Sequence, residues 1–308
     1  MGRNTKNNGR GSGPRRSKED LIRHYYPKSE GTLLDFLFLT LKDKSRTTVK
    51  SLLAHKQVAI NGRPVTQFDS PIHPSDEVSV NFDRAFNFFK HPMLRIVFED
   101  KDLIVVDKNA GLLSMGTDTN KEKTAYRILS DYVKRHDLRN RIFIVHRLDR
   151  ETSGLMMFAK NPRVQTALQA DWDQAVLERK YVAVVEGKPE KDKGELQSYL
   201  AENSAMNVYS TTPEKGKLAI TQYNVLKNKG RYSLVELELL TGRKNQIRVH
   251  MKEFGCPVAG DKKYGATTNP MKRLMLHASK LRFVHPITRE NMVFETAIPS
   301  KFKMLLSI

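Results

Sequence analysis

Residues 145–155, VHRLDRETSGL, set a dense run of charge between two apolar runs at 142–145 and 155–159. Short apolar runs bounded by turn signals read as buried strands, so the spacing predicts two strands with a polar loop between them. The loop carries Arg147, Asp149, Arg150, Glu151, Thr152 and Ser153 and closes on Gly154. Sites are commonly built from polar loop groups held on a rigid frame. Asp149 stands among arginines, and nearby positive charge favours the ionised form of a carboxylate. A dry, ionised aspartate can act as a nucleophile. The plainer alternative is a salt-laced connection in which Asp149 or Ser153 satisfies a turn. A kinase catalytic loop is excluded, because that loop reads HRD with a later Asn, and the chain has no Gly-rich phosphate loop or DFG.

With every fixed letter present from His146 to Gly154, the string resembles the HRLDxxTSG signature of the RluA-type pseudouridine synthases. ERKYVAVVEG at 178–187 resembles that family's second motif, and TGRKNQIRVHM at 241–251 resembles its third, TGRxHQIRVH, with Asn245 in place of histidine. EDKDLIVVDKNAGL at 99–112 and RLMLHASKLRFVHPITRE at 273–290 resemble the opening and closing segments of the same catalytic domain, so the likeness runs from 95 to 302. Two further departures are Lys108-Asn109 for the usual Lys-Pro and Ser114-Met115-Gly116 where a His-Pro pair is common.

The resemblance implies an enzyme that isomerises specific uridines in structured RNA, ribosomal RNA in the first place and transfer RNA in the second. Asp149 would start glycosidic bond cleavage, Arg248 would pair with it, and Tyr181 would contact the base and help remove the last proton. The target must leave its stem to be reached, and Arg147 is implied to fill the vacated space. Arg150 and Arg243 are carried over as further RNA contacts. Neither redox nor group transfer is involved, so no cofactor and no metal are expected. A glycoside-type hydrolase would need a second carboxylate, for which Glu151 is the candidate. A non-catalytic RNA-binding or ribosome-assembly protein is the other alternative, and the departures at Asn109, Met115 and Asn245 are what favour it.

The remainder of the chain fits an RNA partner. Its 53 Lys and Arg against 34 Asp and Glu give a net charge of +19, which points to a polyanion. A single cysteine, Cys256, excludes an internal disulfide. No apolar run approaches a membrane span or a signal-peptide core, so a cytoplasmic, monomeric protein is expected. Residues 1–28 read as a disordered basic tail with Arg10, Arg15, Arg16 and Lys18. Leu33, Leu34, Leu37 and Leu41 fall at helical spacing, Ser45 is placed to cap a second helix, and Asn61-Gly62 signals a hairpin. This order over 29–82 resembles an S-four-type RNA-binding domain, which implies phosphate contacts from Arg46, Lys50, His55, Lys56 and Arg63.

A linker at 83–93, whose Phe86, Phe88 and Phe89 are expected to dock on a domain, leads to the catalytic domain at 94–308. There the pattern predicts a strand pair around 99–102, a helix over 121–136, and a helix from Asn161-Pro162 with Val164, Leu168, Trp172 and Val176 on its buried face. Residues 188–217 read as polar and turn-rich, strands are predicted at 221–226 and 232–240, and a last helix follows Pro299. The fold class is therefore α+β: a small α/β RNA-binding domain, then a mainly antiparallel mixed sheet with flanking helices.

Overall fold

The computed structural model describes residues 22–82, 86, 89–116, 124–135 and 137–307, and of Arg63 and Asp173 the backbone only. Its contacts separate into two compact units, Met1–Phe88 and Phe89–Ile308. Among the described residues no helix is long and apolar enough to cross a membrane.

In the first unit, β1 (Ile22–Tyr25) and β2 (Gly31–Thr32) precede α1 (Leu33–Thr40) and α2 (Arg46–Ala54); β3 (Val58–Ile60), β4 (Arg63–Pro64), β5 (Pro71–Ile72) and β6 (Val78–Asn81) follow. Thr32 caps α1 by accepting from the Asp35 N–H, and Ser45 caps α2 by accepting from the Thr48 N–H, which satisfies orphan donors of each first turn. Leu33 and Leu37 of α1 and Val49, Leu52 and Leu53 of α2 bury against Val58, Val78 and Val80. Asn61 and Gly62 both have positive φ, 49° and 72°, the geometry of a tight two-residue hairpin. The expectation of a tail through residue 28 needs correcting, because Ile22–Tyr25 pairs antiparallel with β6. The hydrogen bonds of β1 come from a partner more than 50 residues away, which local composition cannot announce. Arg10, Arg15, Arg16 and Lys18 lie outside the described residues, as does Phe88.

The second unit opens with the predicted antiparallel pair, β7 (Leu94–Glu99) and β8 (Leu103–Lys108), then α3 (Ala125–Lys134), β9 (Phe143–Ile144) and β10 (Ser153–Ala159). Next come α4 (Pro162–Ala170), α5 (Trp172–Ala175), β11 (Val176–Glu186), β12 (Lys193–Glu202), β13 (Val208–Thr211), β14 (Lys217–Lys229) and β15 (Tyr232–Leu239). The last elements are α6 (Gln246–Glu253), β16 (Leu276–Val284), β17 (Asn291–Glu295) and α7 (Ser300–Leu306). An 11-stranded sheet runs β13-β12-β14-β15-β11-β16-β10-β8-β7, with β17 on β16 and β9 on β10. All its pairs are antiparallel except β10 with β16. Leu129 and Val133 of α3 pack with Ile104, Val106, Met156 and Phe158, whereas Val164 and Leu168 of α4 pack with Leu103, Val105, Leu155 and Met157. Alternate residues of β8 and β10 thus meet opposite helices, which is why both strands read as continuous apolar runs.

Two expectations fail here. The stretch 188–217 holds β12 and β13 at the sheet edge, where most β12 side chains remain exposed or half-buried. The helix begun at Asn161 ends at Ala170, and Asp171 (φ −131°, ψ 47°) breaks the path before the single turn of α5, so Val176 opens a strand instead of closing a helix face.

The charged loop enters the centre of the sheet through Gly154. There β10 lies parallel to β16, Ser153 opposite His277 and Gly154 opposite Ala278. Gly154 has φ +112°, and a Cβ on it would collide with the Ala278 backbone. Gly154→Ala therefore combines backbone strain with a steric clash and should destabilise the protein by about 3 kcal/mol or more, read as a lowered denaturant midpoint.

Candidate active site

Asp149 lies between β9 and β10, and the first polar group that meets its carboxylate comes from 99 residues further along. Arg248 on α6 donates from Nη1 to Asp149 Oδ2 at 3.2 Å. The same guanidinium donates from Nε and Nη2 to Asp261, at 2.6 and 2.8 Å. Asp261 is almost wholly buried (side chain 1% exposed) and Arg248 nearly so (12%), while 30% of the Asp149 side chain faces solvent. Asp261 thus fixes one edge of the guanidinium through two nitrogens and leaves the third, Nη1, aimed at Asp149. Burial pulls the Arg248 pKa down, but the hydrogen bond and charge of Asp261, then those of Asp149, outweigh it and leave the pKa above its ordinary value.

The α6 terminus explains the departure at Asn245. Asn245 adopts the left-handed conformation at φ 53°, which asparagine tolerates better than most residues. Its side chain receives from Arg248 Nη1 at 3.3 Å and donates to the Tyr264 hydroxyl at 2.9 Å, and the Tyr264 ring lies under the Arg248 guanidinium at 4.8 Å. Asparagine therefore serves the arginine directly.

Beneath the loop sits a cation that the sequence did not mark out. Lys108, at the end of β8, is fully buried. Its Nζ donates to the carbonyls of Leu112, Arg150, Asp149 and Asn109 at 2.8, 3.1, 3.2 and 3.3 Å. The Gly111 N–H also bonds the Arg150 carbonyl. Ser114 Oγ donates to the Leu148 carbonyl at 2.6 Å and accepts from the Leu148 N–H at 3.1 Å. Segment 108–114 is thus the support on which the Asp149 loop rests. Asn109 belongs to that support by bonding the Pro92 carbonyl, while Met115 is partly exposed beside it.

Asp149, Tyr181 and Arg248 share the wall of a cavity of about 640 Å³ that Arg147 and Arg243 also line. Burial, with Asp149 adding to it and Arg179 opposing it, pushes the Tyr181 phenol up to about 12, so it is protonated at neutral pH. Arg147 and Arg243 are exposed, and Arg243 Nε is held by the Leu218 carbonyl. Arg150 is exposed and does not line the cavity; its backbone carbonyl is what the loop uses. Of the arginines expected around Asp149, the one that bonds it is Arg248, while its neighbours in sequence, Arg147 and Arg150, point to exposed surface. Glu151 is exposed and also lies off the cavity, so among the described lining residues Asp149 is the one carboxylate, and the paired acids of a hydrolase are not assembled there. Trp172, expected in the core, is half-buried: it packs against the core that Val164 and Leu168 build and also lines the cavity. In the N-terminal unit Arg46, Lys50, His55 and Lys56 are exposed on or just after α2, with Arg46 over the Phe38 ring at 4.9 Å. The Arg63 side chain lies outside the described residues.

The family model described as RNA pseudouridylate synthase matches residues 102–253. The Bacillus subtilis RNA pseudouridine synthase YlyB is 36% identical over 278 residues, spanning 88% of this chain and 91% of its own. The ribosomal large subunit pseudouridine synthase D of Pasteurella multocida is 30% identical over 282 residues, covering 86% of each chain. Among solved structures, human RNA pseudouridylate synthase domain containing 4 superposes with a TM-score of 0.56 at 26% identity, covering 67% of this chain and 89% of that one. The chain belongs to the RNA pseudouridylate synthase family, enzymes that isomerise uridine within RNA.

Two variants test the supports of the site. Asp261→Asn leaves a buried guanidinium short of its main partner, and a misaimed Arg248 should cut kcat by about 100-fold with a lowered Tm. Lys108 has its pKa pushed down to about 8 from 10.5 by burial, against the raising effect of Glu151 and Asp149. Between those pH values the unfolded chain keeps a proton that the folded chain has released, so stability gains with rising pH in that window. Lys108→Met should flatten that part of the Tm–pH curve and lower kcat by releasing the Asp149 carbonyl.

Proposed function

We propose that the protein converts specific uridines of structured RNA to pseudouridine, ribosomal RNA being the favoured substrate and transfer RNA the second, with Asp149 as the residue that starts glycosidic bond cleavage. The observation that carries this reading is the Asp149–Arg248 ion pair on the wall of the cavity that Tyr181 also lines. Arg248 holds the carboxylate oriented and balances its charge before it acts at the ribose. Arg147, exposed on the rim, occupies the stem position of the extruded nucleotide. The freed uracil turns in the cavity and rejoins through carbon, against Tyr181. A phenol with its pKa near 12 supports contact and hydrogen-bond donation at the base over removal of the last proton. All three side chains come from one chain, which supports a monomer as the working unit.

The assignment extends to the rest of the chain. Residues 29–82 act as an S-four-type RNA-binding domain, supported by two capped helices, a left-handed Asn-Gly turn and the exposed cations Arg46, Lys50 and Lys56. Such contacts position RNA without reading it. Arg63, Arg150 and Arg243 join them as phosphate ligands, with the basic stretch 1–21 adding attraction ahead of the first strand. Residues 83–93 link this domain to the catalytic domain at 94–308. The ribosomal preference draws on the relative named for the large ribosomal subunit, and an RNA substrate of this kind places the enzyme in the cytoplasm.

Total ribosomal and transfer RNA from cells lacking the gene tests the reading. Purified wild-type protein should produce pseudouridine at discrete positions, and Asp149→Asn should produce none while still binding RNA. Conversion by Asp149→Asn, or release of uracil by the wild type, overturns it.

A further inference from the structure

The far part of the cavity wall is built from residues that the chemistry at Asp149 does not use. Trp172 forms the first residue of α5, turned toward the cavity by the break at Asp171. The Arg179 guanidinium lies over its indole at 5.6 Å, and the His146 imidazole sits 5.3 Å away at 49°. Arg179 is steadied by the Leu239 carbonyl at 3.3 Å and fits where Gly242 has no Cβ. The result is an aromatic–guanidinium surface, the material on which proteins stack unpaired bases.

Its polar rim is fixed as well. His146 Nε2 accepts from the Met157 N–H at 3.1 Å, and burial, followed by the Arg179 charge, holds its pKa down to about 3. The neutral ring therefore carries its proton on Nδ1 as a donor. Gln169 Nε2 donates to the Ile144 and Val145 carbonyls at 3.1 and 3.3 Å, which leaves its Oε1 as an acceptor. His146 and Gln169 both line the cavity, and a donor and an acceptor together match the edge of a base, which offers both. Arg179 and Tyr181 are alternate residues of β11 facing the same cavity, about 7 Å apart at strand spacing. That is roughly two stacking rises, the separation of bases that no longer stack on one another.

We propose that His146, Gln169, Trp172 and Arg179 form a subsite for the unpaired nucleobase next to the target uridine, stacked on the Trp172–Arg179 pair. The inference rests on the uridine-isomerase reading and adds to it a source of sequence context. Trp172 is the one tryptophan of the chain, so tryptophan emission reports on this subsite alone. Full-length Asp149→Asn protein titrated with total ribosomal and transfer RNA should lose Trp172 emission, whereas heparin, a polyanion without bases, should leave it unchanged. No response to RNA, or an equal response to heparin, overturns the subsite in favour of no contact or of phosphate binding.

A hairpin spanning a uridine converted by the wild type then separates neighbour from target. An abasic residue beside that uridine should lower kcat/KM about ten-fold. Trp172→Ala should lose a similar factor on the intact hairpin and become indifferent to the abasic change, with Trp172→Phe retaining most of the activity. If Trp172→Ala does not fold, Gln169→Ala should show the same reduced sensitivity. A full abasic penalty in a folded Trp172→Ala protein overturns the proposal. Absence of wild-type conversion counts against the isomerase reading instead, and the RNA-versus-heparin titration still decides the subsite.

Discussion

The site depends on how one guanidinium is divided. Arg248 gives two of its nitrogens, along one edge, to Asp261 and the third to Asp149, and the difference in burial between the two carboxylates separates their roles. Asp261 is sealed, and a buried carboxylate persists only with a partner of this kind. Asp149 keeps part of its surface toward the cavity, where a substrate can reach it. A single arginine facing a single aspartate would have more freedom to swing; the second carboxylate removes that freedom at a position no substrate touches. The Tyr264 ring and the Asn245 side chain close the other approaches to the guanidinium.

The Asp149 loop is held in a complementary way, through backbone atoms. Lys108 and Ser114 bind the carbonyls of 148–150 from below, leaving the side chains of the loop for other work. The loop can therefore carry several charges without relying on them for its shape, and its arginines stay exposed. This arrangement also accounts for two departures from the family's pattern: Asn109 ties the supporting segment to the Pro92 carbonyl, and Asn245 bonds within the arginine's own shell.

Much of this was legible in the sequence because it is local. The cap at Ser45, the Asn61-Gly62 turn, and the apolar runs of β8 and β10 each follow from a few adjacent residues. Asp149, Tyr181 and Arg248 could be singled out because motifs carry them. Asp261 and Lys108 could not, since one reads as a turn residue and the other as an ordinary strand-end lysine until burial is known. β12 and β13 went unread because edge strands keep polar side chains on exposed surfaces. Trp172 does pack against the core, as its spacing implied, but a spacing of four continues a helix on paper, whereas Asp171 ends it in space and lets the ring line the cavity as well.

The position of β16 gives the order of assembly a consequence for activity. β16 stands between β10 and β11, joining the half of the sheet that delivers Asp149 to the half that delivers Tyr181. It is also among the last strands in the chain. A ribosome that has made everything through β15 has produced both halves of the sheet without the strand that brings them into register. Contacts of such long sequence separation form late and slowly. The nascent chain thus holds Asp149 on one half and Tyr181 on the other well before the strand that joins them exists, and the cavity wall they share is complete only when the sheet is joined at its centre.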